Sequence, residues 1–190
     1  SSLGLAYRVL HGVWSGQTET ALADARESLE IAERHGAPYF VAFASGSLGD
    51  ALRLEQRDQE ALEAYRETLD LIHRKRVGVQ WKPHVVAGQA LAHSALGEHE
   101  RAIVRARSAL EESVVGGNRR AEDFAHLTLA RVLLAAGDPD LHDQIEKTVK
   151  RAEDLSEVTG MRVHRPPLLE MGAALAERRG NPHQANERLR

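Results

Sequence analysis

The sequence predicts an all-α chain, a right-handed α-solenoid of antiparallel helix pairs with about five units of roughly 40 residues each. Three observations predict it. The 190 residues are 42% apolar and only 4% aromatic, and they are rich in Ala, Leu, Glu and Arg, all good helix formers. Strand signals are nearly missing. The one β-branched cluster outside a helical pattern, Val77-Gly78-Val79-Gln80-Trp81 before Lys82-Pro83, is too short to make a sheet and reads as a connection. The third observation is a recurring turn. Gly16, Gln56, Gly97, Gly137 and Gly180 follow at intervals of 40, 41, 40 and 43 residues. Ala21, Ala61, Ala102 and Ala185 each stand five residues after one of them, and His142 takes that place after Gly137.

The elements can be justified in order. The first pair is read over 3–14 and 18–35, its second helix ended by Gly36-Ala37-Pro38, a pattern suited to a left-handed C-cap. The second pair covers 38–55 and 58–76, with Asp58 as N-cap and His73-Arg74-Lys75-Arg76 at the C-terminus, where the helix dipole favours positive charge. The third covers 83–96 and 98–115 and closes on Gly116-Gly117-Asn118. The fourth covers 118–136 and 139–158, with Asp138 as N-cap, Pro139 in the first turn and Thr159-Gly160 at the end. The fifth covers 165–179 and 182–190, Asn181-Pro182 repeating the cap before a last helix that is cut short. The units are then 1–36, 37–78, 79–117, 118–160 and 161–190, one repeat domain throughout.

The second helices share a stripe. Ala21, Ala25, Ser28 and Leu29 correspond to Ala61, Tyr65, Thr68 and Leu69, and to Ala102, Ala106, Ala109 and Leu110. Offsets of four, seven and eight put these residues on one helical face, and its small side chains let a neighbouring helix approach closely. Leu48-Gly49, Gln89-Ala90 and Leu129-Ala130 place a small residue where the two helices of a pair meet.

The pattern Leu48-Gly49 … Gln56 … Ala61 … Tyr65 … Thr68-Leu69 resembles the tetratricopeptide repeat, and the whole chain can be read in that register. Its units are longer than is usual for that family. In this the chain, most of all from Ala21 to Pro38, is similar to the repeat regions C-terminal to the ATPase module of bacterial multidomain regulators. Those include cyclase–ATPase proteins and transcriptional activators of the signal-transduction ATPase class. The resemblance implies a scaffold or regulatory module of a larger signalling protein.

Composition excludes several classes. Lys and Arg together number 25 against 28 Asp and Glu, a net charge of -3, so no nucleic-acid footprint is expected. No apolar run approaches the ~20 residues of a membrane span. The absence of cysteine removes disulfides, thiolate metal sites and a cysteine nucleophile, and fits a reducing, cytoplasmic setting. No signal peptide is read at Ser1-Ser2, and the chain reads as a fragment.

Enzyme chemistry finds no foothold. No two of the ten histidines are three or four residues apart, as a helical zinc site needs, so His84, His93 and His126 read as packing or polar residues of first helices. Glu98 with Glu100, and Glu111 with Glu112, sit beside Arg101, Arg105 and Arg107 in the manner of a solvated face. Gly116-Gly117 lacks the Lys-Ser/Thr of a phosphate loop, and Ser45 and Ser47 lack a nucleophile turn. The basic run before Trp81 and Lys82 is accounted for by a helix end. No cofactor, metal or catalytic residue is expected.

Helix pairs stacked in this way form a concave wall from their first helices. The candidate protein-binding groove on that wall comprises Phe43, Asp50, Arg53, His84, Leu91, Ser94, Phe124, Leu127 and Arg131. The expected occupant is a protein or peptide segment, from a partner or from another domain of the same parent, anchored by Phe43, Leu91 and Phe124 and registered by Asp50, Arg53 and Arg131. Family members that clamp a C-terminal carboxylate use Lys and Asn at these slots, and neither occurs here. Self-association through an exposed terminal helix, and sensing of a small effector in an inner cavity, are the alternative roles.

Overall fold

The computed structural model describes residues 1–15 and 20–189. Gly16, the first member of the recurring turn, lies outside the described residues, as do the start predicted for the second helix at 18 and the terminal Arg190. Ten α-helices are seen among the described residues, with no strand: α1 (Ser2–Ser15), α2 (Ala21–His35), α3 (Pro38–Leu54), α4 (Asp58–Lys75), α5 (Lys82–Ala95), α6 (His99–Val115), α7 (Arg119–Ala136), α8 (His142–Thr159), α9 (Arg165–Arg178) and α10 (Pro182–Arg188). Each packs on its neighbours in sequence. The first helices also touch across pairs, α1 on α3 and α5 on α7 closely, α3 on α5 and α7 on α9 more sparsely.

The recurring turn has a backbone reason. Gln56, Gly97, Gly137 and Gly180 all take left-handed conformations, with φ of 58°, 76°, 72° and 73°. After three of them the next amide donates back to a carbonyl five residues earlier, Arg57 to Leu52, Glu98 to His93 and Asn181 to Ala176, each at 2.9 Å, which ends the first helix in a Schellman turn. Glycine adopts this conformation freely. Gln56 does so against its own Cβ.

The small-residue stripe is the buried face. Ala25, Ser28, Ala61, Tyr65, Ala102, Ala106 and Ala109 are fully buried, and Ala21 and Thr68 nearly so. Burial runs identically through residues 21–30 and 61–70. Ser28 donates to the Ser2 carbonyl at 2.8 Å, and Thr68 to Ser45 Oγ at 3.0 Å, so polar members of the stripe find partners on the first helix. Tyr65 uses the missing side chains of two first helices. A Cβ on Gly49 of α3 or on Gly88 of α5 would lie 2.5 Å from its ring.

Two helix starts differ from the expectation. Asp138 does cap, accepting from the Asp140 amide at 2.9 Å, but the capped element is a 3-10 turn, Pro139–Leu141, and α8 begins only at His142. Those three residues shift the stripe, so Ile145, Val149 and Ala152, not His142, fill the buried slots. Asp58 makes no capping bond. It is the first residue of α4, and Arg57 before it instead binds Glu60 at 2.6–2.7 Å. The Val77–Trp81 connection holds a 3-10 turn, Val79–Trp81, and Arg162–His164 forms another before α9.

Candidate functional site

A line of rings crosses the first helices. Tyr7 of α1 lies 5.3 Å from Phe43 of α3, centroid to centroid, and Phe43 lies 4.5 Å from Trp81. Trp81 meets His84 edge-on at 6.0 Å. His84 stacks on Phe124 of α7 at 4.8 Å, and Phe124 lies 6.0 Å from His164. Each helix pair thus contributes a ring to its neighbour, which ties the pairs together by shape.

Two buried carboxylates anchor this line. Asp50, 2% exposed, accepts from the Tyr65 hydroxyl at 2.7 Å and lies 2.8 Å from His84 Nε2. Burial pushes Asp50 up, but the charge and hydrogen bond of His84, then Tyr65 and Arg53, outweigh it and hold the carboxyl below its ordinary value. Burial, then the charge of Asp50, push the Tyr65 phenol far above its usual range, so it remains a neutral donor. Asp123 is fully buried, with Thr159 Oγ1 at 3.2 Å, Ser156 Oγ at 3.4 Å and His164 Nδ1 at 3.2 Å from its Oδ2.

The candidate groove residues divide into groups. Phe43, Asp50 and His84 line a water-sized recess of about 10 Å³ between α3 and α5, together with Trp81. Arg53, Leu91, Phe124, Leu127 and Arg131 meet in a second recess of about 70 Å³, where Val163, His164 and Pro167 complete the lining. Ser94 belongs to neither. It sits half-buried in the last turn of α5, and its carbonyl accepts from Gly97 at 3.1 Å. Phe43, Asp50, Leu91 and Leu127 are 5%, 2%, 7% and 5% exposed, so neighbours already cover most of their surface. Arg131 stays open to solvent, with Arg53, His84 and Phe124 half-buried. α1 also touches the 3-10 turn Arg162–His164.

Other side chains weighed from the sequence have local partners. His93 Nδ1 lies 2.6 Å from Glu98 Oε2, Lys82 pairs with Glu112 at 2.9 Å, and Trp81 is part of the ring line. Burial lowers His126 first, Glu122 opposing, and its Nδ1 has no hydrogen-bond partner. No group of three or more His, Cys, Asp or Glu side chains is arranged to hold a metal among the described residues. Nor is any helix there long and apolar enough to cross a membrane.

Sequence reasoning missed two features. Asp123 on a helix reads as a solvated charge, and its partners come from residues 156–164, so no local spacing betrays it. The other is a cleft of about 820 Å³ lined from α8 by Glu153, Asp154 and Glu157 and from Arg162, Arg165 and Leu168 across it. Its signal was the 43-residue interval, longer than the rest, which contains two of the three 3-10 turns. No protein-family model matches the chain, and no curated protein matches it.

Proposed function

We propose that the chain is a tetratricopeptide-like repeat module, a right-handed superhelix of about five helix pairs that serves as a cytoplasmic scaffold or regulatory part of a larger bacterial signalling protein. It binds a protein segment on the wall of its first helices. The observation that carries this reading is the convergence of Arg53, Leu91, Phe124, Leu127 and Arg131, contributed by three successive first helices, on one recess. Apolar floor and charged rim are what an acidic, partly apolar segment requires. Peptides selected from a displayed library for binding to the chain test it. They are expected to lose affinity for Phe124→Ala and Arg131→Glu while keeping it for Val104→Asp, a substitution on the exposed outer face of α6. Selected peptides indifferent to both wall substitutions would contradict it.

A second reading, a small-effector sensor, draws on the α8–α9 cleft, whose volume lies in the range of small-molecule sites. Light scattering separates both from self-association, which alone makes the mass depend on concentration.

A further inference from the structure

We propose that Arg53 and Arg131 together hold one oxyanion, a carboxylate or phosphoryl group, in the recess between α3, α5, α7 and α9. This rests on reading the first-helix wall as the ligand wall and names the chemistry it selects.

The first observation is an unmet donor. Arg53 Nε is buried and has no hydrogen-bond partner, although the half-buried guanidinium is within hydrogen-bonding reach of the Tyr65 oxygen. A buried N–H of a charged group left without an acceptor is costly for a fold to keep. The carboxylates whose fields reach Arg53 are poorly placed to satisfy it. Asp50 is already engaged by Tyr65 and His84. Burial raises Asp58 despite the pull of Arg53, and Asp58 Oδ1 is itself unpartnered. The second observation is a like charge. Partial burial of its guanidinium, then the charge of Arg53, lower Arg131, with Glu170 of α9 working the other way. Two guanidinium groups facing one recess repel each other, and an anion between them converts that repulsion into two charge-assisted hydrogen bonds.

The third observation is the recess itself. Leu91, Phe124 and Leu127 form an apolar floor, which keeps the effective dielectric low and strengthens such bonds. Its volume of about 70 Å³ compares with about 10–15 Å³ for a cavity that holds one water, so it suits one acidic group rather than a length of chain. A carboxylate on a protein segment and a free small acid share this chemistry.

The test is a side-chain NMR titration of the full chain, following the Nε–H signals of Arg53 and Arg131 and the signals of Leu91 and Phe124. The probes are inorganic phosphate, glutarate, a blocked Glu-Leu-Glu peptide and its Gln-Leu-Gln counterpart, at ionic strength fixed with chloride. Saturable shifts of both arginines with the acidic probes, weakened about tenfold or more in Arg131→Gln and in Arg53→Gln, are expected. Arg131→Gln, at an open position, keeps the test valid if Arg53→Gln does not fold. Tighter binding of the Glu peptide than of glutarate would assign the acid to a protein segment, and the reverse to a free small acid. Equal shifts of Leu91 and Phe124 by the Glu and Gln peptides, with both arginines unmoved, would overturn the oxyanion site yet leave the wall as a binding surface. No shift at any of the four residues would overturn both.

Discussion

Tyr65 and Arg188 occupy similar positions with opposite consequences. Each is a long side chain of a second helix laid against a glycine of a first helix, Tyr65 on Gly49 and Gly88, Arg188 on Gly172. Tyr65 is fully buried, a rigid ring that joins α3, α4 and α5 and delivers its hydroxyl to Asp50. Arg188 is flexible and pairs with Glu153 at 3.2 Å, while nearby Arg179 reaches Asp143 and Glu146 at 2.6 Å. Around Tyr65 the molecule is held by packing and a buried network. At the C-terminal end, buried apolar contacts such as Leu168 and Met171 against α7 and α8, and Ala185 against Ala173 and Ala176, are joined by ion pairs around partly exposed side chains. Across the α8–α9 joint a cleft opens. A glycine in a helical stripe therefore marks a close approach, and the residue opposite decides whether that approach becomes a rigid joint.

The largest expected effect separates the two ends. Tyr65→Ala should cost about 3–5 kcal/mol in urea unfolding, as buried aromatic truncations do, whereas Arg188→Ala should stay within about 1 kcal/mol. Similar losses would erase the distinction.

Acid should weaken the middle through His126 and Asp50. Both are held below their ordinary values, so the folded state binds fewer protons than the unfolded chain. The contribution of His126 is full above the unfolded value near pH ~6.5 and is lost as pH falls through its lower folded value. That of Asp50 is full above about pH 4 and is lost below it, through its own lower folded value. Urea midpoints should therefore fall from pH 7 to pH 5, and His126→Gln should flatten that fall. An unchanged slope in the variant would remove His126 from the account.

A smaller gain is expected at the turn. Gln56→Gly should stabilise by about 1 kcal/mol, because Gln56 alone of the four described turn residues carries a Cβ in a left-handed conformation. A loss on chemical unfolding would show that the Gln56 side chain contributes more than its backbone costs. The smallest effect belongs to the surface. Arg179→Ala should cost under about 1 kcal/mol and nothing measurable in high salt.

These contrasts also explain what the sequence could reveal. The helix pairs were legible because each described turn takes a left-handed residue and the second helices repeat a buried stripe at offsets of four and seven, small in α2 and α6 and opened to Tyr65 in α4. Both are local demands that leave local marks. The start of α8 was not, since Asp138-Pro139 is an equally good signal for an α-helix and for the 3-10 turn it caps. At the wall, spacing placed Arg53, Leu91, Phe124, Leu127 and Arg131 on one surface. It could not show that Phe43 and Leu91 are largely covered, nor that Asp50 is keyed by Tyr65 and His84, because those facts depend on which side chains cross between pairs.

The comparison is tested most directly by thermal unfolding of Gly88→Ala beside Gly172→Ala. Alanine improves a helix by roughly 0.5–1 kcal/mol at either site. At Gly88 the new methyl meets the enclosed Tyr65 ring, an overpacking cost of about 1–3 kcal/mol, whereas at Gly172 it displaces only the end of Arg188. Gly88→Ala should lower Tm by several degrees and Gly172→Ala should raise it by about 2–4 °C. Shifts of the same sign and size would contradict the distinction between the rigid joint at Tyr65 and the flexible one at Arg188.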